Sequence, residues 1–181
     1  MSQQRLRRLV MVTSDFHYRE DDHICTTSAF MRFVPELLSF SRQIEVCVPV
    51  HATGATGGYS IESDSISYRA LPPSRTLEEF LRRLPWDSLR LLKGLYSSIR
   101  SADLVWINGP HPLLVMAVLV ARVLRKPYLL WLRGDILEVT KAKYTGGGWR
   151  NLLALRTAQC LDRLILLAAR RAVVFYTGQG L

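Results

Sequence analysis

Four short stretches of this sequence carry residue types that can do chemistry. Asp15-Phe16-His17 sets a carboxylate two residues from an imidazole, the pair used for acid–base work. Gly109-Pro110-His111 places a second imidazole behind a glycine. Arg133-Gly134-Asp135 offers a guanidinium whose planar fork suits a phosphate or carboxylate but cannot relay a proton. Tyr176-Thr177-Gly178 is the fourth. The plainer expectation for the stretch from Asp15 to His23 is a solvated loop. His17 and His23 with Asp15, Asp21 and Asp22 lack the spacing of a tetrahedral site, so no metal is expected.

Residues so far apart act together only if the fold gathers them, and the patterning says how. Arg8–Thr13 is a short apolar, β-branched run and reads as a buried first strand. Apolar residues at Phe30, Phe33, Val34, Leu37 and Leu38 make a helical stripe over Ala29–Phe40. Ile44–Val50 and Ile66–Leu71 are the next strands, with a glycine-bearing loop, Gly54 to Gly58, between them. That loop does not enter a helix, so it fails the dinucleotide fingerprint. A helix from the cap Thr76 to Arg100 should break at Pro85.

The strand Ala102–Asn108 leads to Pro112, which suits the first turn of a helix over Leu113–Leu124. That helix is apolar nearly all round, as if buried against a sheet. Pro127–Leu132, a long helix over Trp149–Arg171 and Ala172–Thr177 close the series. Gly146-Gly147-Gly148 precedes this helix, but no Lys-Ser/Thr follows, so a mobile loop over the rim is expected and not a P-loop. Strands alternating with helix-length segments imply one α/β domain over residues 1–181. It is a Rossmann-like, doubly wound and mainly parallel sheet of about six strands with helices on both faces. Ile107, Val105, Leu130 and Val174 should form its core. Ligands bind beyond the carboxyl ends of such strands. The four stretches therefore belong on one rim, with Asp15, His17, Gly109, His111, Arg133, Gly134 and Asp135 as candidates to bind a ligand.

The run ADLVWIN with Gly-Pro-His-Pro and an apolar helix behind it, then Lys126-Pro127, YLLWL and Arg-Gly-Asp, resembles the N-terminal domain of retaining GT-B glycosyltransferases. The arginine-bearing last helix and the strand RAVVF continue the likeness, which is to the subfamily-four-like N-terminal domain and runs from Leu9 to Thr177. The resemblance implies the acceptor-side half of an enzyme that transfers sugar from a nucleotide-sugar donor. The acceptor it implies is lipid-linked or a polysaccharide. The donor-binding half would be missing or separately encoded, and the chain alone would be inactive. The first loop departs from the pattern: it carries Glu20-Asp21-Asp22 and no glycine, which disfavours a diphosphate. Arginine also stands at 133 where relatives often have histidine. No cofactor is implied. The alternative is a non-catalytic, membrane-peripheral or partner-binding module on the same fold.

The chain has 181 residues, of which 49% are hydrophobic and 22% charged, as in ordinary globular domains. Its longest apolar run, Leu113 to Ala121, falls short of the about 20 residues that cross a bilayer. The apolar stretch behind Arg5, Arg7 and Arg8 is interrupted at Thr13-Ser14-Asp15, so strand is expected there and not a signal-peptide core. Cys25, Cys47 and Cys160 form no Cys-x-x-Cys pair, which reads as reduced thiols and a cytoplasmic setting. A net charge of +9 calls for an anionic neighbour. No basic tract, zinc spacing or aromatic RNA-binding strand points to nucleic acid. Arg156, Arg163 and Arg170 share one helix face, as do Arg90, Lys93 and Arg100 with Trp86 close by. Amphipathic basic helices of this kind lie on anionic membranes, here the inner face.

Overall fold

The computed structural model describes residues 5–52, 58–61, 63–74, 77–134, 136–143, 148–170 and 172–177. The glycines at 54 to 57, 146 and 147, the cap Thr76, and Asp135 and Gly178 lie outside them. Six parallel strands carry the fold: β1 (Leu6–Val12), β4 (Ser41–His51), β6 (Ile66–Leu71), β7 (Leu104–Gly109), β8 (Tyr128–Arg133) and β9 (Val173–Thr177). They lie in the order β6-β4-β1-β7-β8-β9. Counted along the chain this is 3-2-1-4-5-6, the doubly wound order whose direction reverses at β1 and β7. The α/β expectation holds, and all six strands fall where the apolar runs place them.

Winding away from the seam in two directions puts the right-handed crossovers on opposite faces. On one face α1 (Leu77–Arg100), α2 (Pro112–Val123) and α4 (Trp149–Ala169) pack with Val10, Val12, Cys47, Val105, Ile107 and Leu130 in one core. On the other, Leu9, Met11, Ile44, Val46 and Val48 meet a single 3-10 helix, Ala29–Ser39. The helix expected there is present but wound more tightly. Pro35 lies inside it, and its buried residues Met31, Val34 and Leu37 recur every three, the 3-10 period. α1 runs unbroken through Pro85, which stands on its exposed side. The buried stripe of Phe80, Leu91, Leu95 and Ile99 outweighs the roughly 3 kcal/mol a proline costs.

The stretch from Asp15 to His23 is not a loop. β2 (His17–Glu20) and β3 (His23–Thr26) form an antiparallel hairpin that extends the sheet beside β4 and pairs onward with β5 (Tyr59–Ser60). Asp21 takes φ 51°, and the acidic run is the exposed tip of this hairpin. At about 3.3 Å per residue, β2 carries that tip some ~10 Å past His17. A further helix, α3 (Ile136–Lys143), which the patterning does not anticipate, follows β8.

Two polar devices set the register. The Asp103 carboxylate accepts the backbone N–H groups of Arg7 (2.7 Å) and Arg8 (3.0 Å), tying the start of β7 to β1. The bond from Arg8, then that from Arg7, holds its carboxyl below the usual range. Glu45 on β4 is buried between Arg8 of β1 (2.7 Å) and Arg69 of β6 (3.3 Å), one carboxylate clamping three strands.

The core expectation needs one correction. Val105, Ile107 and Leu130 are fully buried, but Val174 is 38% exposed. β9 is an edge strand whose residues are all exposed on both faces, so burial there stabilises little. We therefore expect Ile107→Ala to cost about 2–5 kcal/mol and Val174→Ala less than about 1 kcal/mol. Urea unfolding of the two variants measures both.

Candidate functional site

The parallel strands point their carboxyl ends to one rim, and the chain's behaviour there differs from strand to strand. After β1 the backbone leaves the ladder at Thr13 and rejoins β4 as β2 at His17. Asp15 sits in this gap, with its N–H donating to Thr13 Oγ1 (3.2 Å). Arg133, last residue of β8, donates from Nη2 to Asp15 Oδ1 at 2.6 Å. β7 lies between the strands these residues leave, so the ion pair bridges its carboxyl end. The Arg133 guanidinium also lies 5.1 Å from the centre of the Phe30 ring. Cation–π contact and ion pair together fix the side chain.

Beneath the bridge is a residue the patterning did not single out. Asn108 is only 3% exposed, and its Oδ1 accepts from Trp106 Nε1 at 2.9 Å. Its Nδ2 is buried without a hydrogen-bond partner, as is Asp15 Oδ2. Native structures leave few such atoms, because each costs about 1–3 kcal/mol. The rim thus carries one buried acceptor and one buried donor that no protein group satisfies. Trp106, Trp131, Phe30 and Phe33 meet beside them, with the indoles 5.6 Å apart and Phe30 edge-on to Trp131 at 4.8 Å. The signal was present in sequence: Trp106-x-Asn108 and Trp131-x-Arg133 each set an indole and a polar group on one strand face.

The imidazoles serve structure. His17 is fully buried, with Nδ1 2.8 Å from the carbonyl of Asp15 and Nε2 unpaired. Desolvation holds its pKa below the usual value, against smaller opposing contributions from Asp15. His111 caps α2, Nδ1 accepting from Leu113 N–H at 3.2 Å, while Phe80 stands edge-on 5.3 Å away. Its extended backbone and Pro112 behind it are the N-terminal signals the sequence carries. Gly109 has no room for a side chain, since a Cβ would lie 2.3 Å from Leu114 Cδ1. Gly134 takes φ 77°, the left-handed conformation glycine tolerates, and donates its N–H to Thr177 at 3.1 Å. The rim thus brings Asp15 and Arg133 into contact. His17, Gly109 and Gly134 support the backbone around them, and His111 stands at the mouth of α2.

Beside His111 the α1, α2 and α4 helices leave an apolar groove of about 220 Å³, lined by Phe80, Leu84, Pro112, Met116 and Leu161 among others. Among the described residues no three His, Cys, Asp or Glu side chains gather in a metal-binding group.

Burial pushes His111 down from 6.5 to about 4. Between these values the unfolded chain binds more protons than the folded one, so stability rises with pH across the window and is complete above it. The loss on acidification to pH 4 should reach at most about 3 kcal/mol. His111→Asn keeps an acceptor cap without titrating. Its stability should therefore vary less with pH in thermal melts, with a residual slope from His17.

No protein-family model matches the chain, and no curated protein matches it. Solved structures are similar to it over most of its length at low identity. UGT2 of Phytolacca americana, complexed with UDP-2fluoro-glucose and pterostilbene, is 14% identical with a TM-score of 0.45 over 80% of this chain and 36% of that one. A UDP-glucosyltransferase from Polygonum tinctorium capable of glucosylating indoxyl, in complex with 3,4-dichloroaniline, is 13% identical with a TM-score of 0.42, over 82% and 35%. The chain spans about a third of either protein.

Proposed function

We propose that this domain is the acceptor-side half of a glycosyltransferase. It holds a hydroxyl-bearing acceptor at the rim above the β1–β7 seam, while a donor-binding domain, from a partner chain or a further segment, brings the nucleotide sugar. The observation that carries the reading is the pair of buried, unpaired hydrogen-bonding atoms, Asp15 Oδ2 and Asn108 Nδ2, at the point where strand order reverses. An acceptor hydroxyl donates to the first and receives from the second. Arg133 keeps Asp15 in place, and the indoles offer flat apolar faces beside it.

Transfer needs acceptor and sugar in register, a positioning effect that can reach about 7–11 kcal/mol. This domain supplies one side of that register. Calorimetry and a transfer assay on the purified chain test the reading. With nucleotide sugars alone we expect neither tight binding nor turnover. Oligosaccharide or glycolipid acceptors should bind, and about tenfold more weakly to Asp15→Asn, Asn108→Ala or Arg133→Ala, each having lost a charged or neutral hydrogen bond. Turnover by the lone chain would show that a complete enzyme has been misjudged as half of one. Acceptor binding indifferent to these three variants would favour a non-catalytic module.

A further inference from the structure

The helical layer is apolar where a globular protein should be polar. α1, α2 and α4 pack into one core against the same sheet face, so their remaining faces turn outward together. Among the most exposed large apolar side chains are Trp86 (83%) and Leu89 (79%) on α1 and Val123 (78%) on α2. The sequence reading of α2 as a buried helix therefore holds for its inner side only. On α4, Leu152, Leu153, Leu166 and Leu167 are exposed as well. Scattered apolar residues are ordinary, but a surface with so many across three adjacent helices marks an interaction site.

Its charge is as one-sided as its polarity. At 3.6 residues per turn, Leu89, Leu92 and Tyr96 form a strip along α1. Arg82, Lys93 and Arg100 run beside it, with Trp86 and Arg90 just beyond. The carboxylates of α1 do little to cancel these cations. Arg83 engages Glu79 at 3.4 Å and Asp87 at 3.1 Å, and Arg90 is 3.9 Å from Asp87; Glu78 is exposed in the first turn. Arg156, Arg163 and Arg170 are exposed along α4.

We propose that the outer face of this layer, led by α1, docks the domain on an anionic lipid bilayer. Trp86 and Leu89 enter the interface while Arg82, Arg90 and Lys93 meet the headgroups. The charge selects this occupant. A second copy would bring one cationic face against another, and a nucleic acid offers nothing to cover the leucines. No helix among the described residues is long and apolar enough to cross a bilayer, so the contact lies in the membrane plane. Near its rimward end the strip reaches Leu81, which lines the apolar groove beside His111. This docking stands whether or not the rim binds a glycosyl acceptor.

Flotation of the purified chain with vesicles tests it, using phosphatidylcholine alone and phosphatidylcholine mixed with phosphatidylglycerol. Binding should need phosphatidylglycerol and weaken as salt is raised. Trp86→Ser with Leu89→Ser, and separately Arg90→Glu with Lys93→Glu, should each reduce it by about tenfold or more, since a cation near an anionic surface is worth several-fold. Phe40→Ser removes an exposed aromatic outside the layer and should change nothing. Circular dichroism confirms that each variant is folded. Equal binding to both vesicle types, no binding, or equal loss in Phe40→Ser would overturn the proposal. So would self-association, seen by sedimentation, that the α1 variants abolish.

Discussion

β1 and β7 pair in parallel, with Val10 beside Val105 and Val12 beside Ile107, and this seam organises the molecule. All four residues are buried, so the pairing is fixed by the core as well as by its ladder. The chain winds outward from the seam in both directions. Every parallel strand therefore sends its carboxyl end to one rim, and the helices divide between the two faces. A gap opens at the rim because the chain leaves β1 and β7 toward opposite faces of the sheet. Asp15 and Asn108 occupy that gap.

The two faces are covered unequally, and the inequality explains the surface. Three long helices shield one face and a single 3-10 helix shields the other. On the thinly covered face, aromatic bulk substitutes for a helix: Phe30 and Phe33 close over Trp106 and Trp131. That closure stops at β8, so Phe175, beside Trp131 on β9, stays half exposed. On the other face the helices bury one side each and leave the second side to solvent, where leucines and arginines alternate. The same layer that stabilises the sheet creates the apolar, cationic exterior.

Much of this was legible in the sequence, for identifiable reasons. Buried parallel strands are continuous apolar runs, so IEVCVPV and DLVWIN could scarcely be anything else. The hairpin His17–Thr26 was not legible. HYRE and HICT are short and mixed, and their pairing depends on the edge that β4 offers. β9 misled in the opposite way, since VVFYT reads as core and lies on an edge. Strand ends pointed to Asp15 and Arg133, residues 118 positions apart, but not to their contact. That contact requires the strand order, which no local pattern encodes. Asn108 escaped notice because a lone asparagine closing an apolar strand looks like the start of a turn.

The rim also carries two of the buried polar atoms that have no hydrogen-bond partner. The buried Glu45 is met by two arginines, and the carboxylate of Asp103 takes two backbone donors. Asp15 is satisfied on one oxygen and left open on the other, with an unpaired amide nitrogen on the neighbouring strand. A fold that satisfies its polar groups so thoroughly at the opposite end of the same strands does not lack the means to do so. A ligand hydroxyl that completed both groups would recover in binding the free energy that folding forgoes there. If a hydroxyl binds there, an apolar group of the same size would bind less well, because it would leave both atoms unpaired.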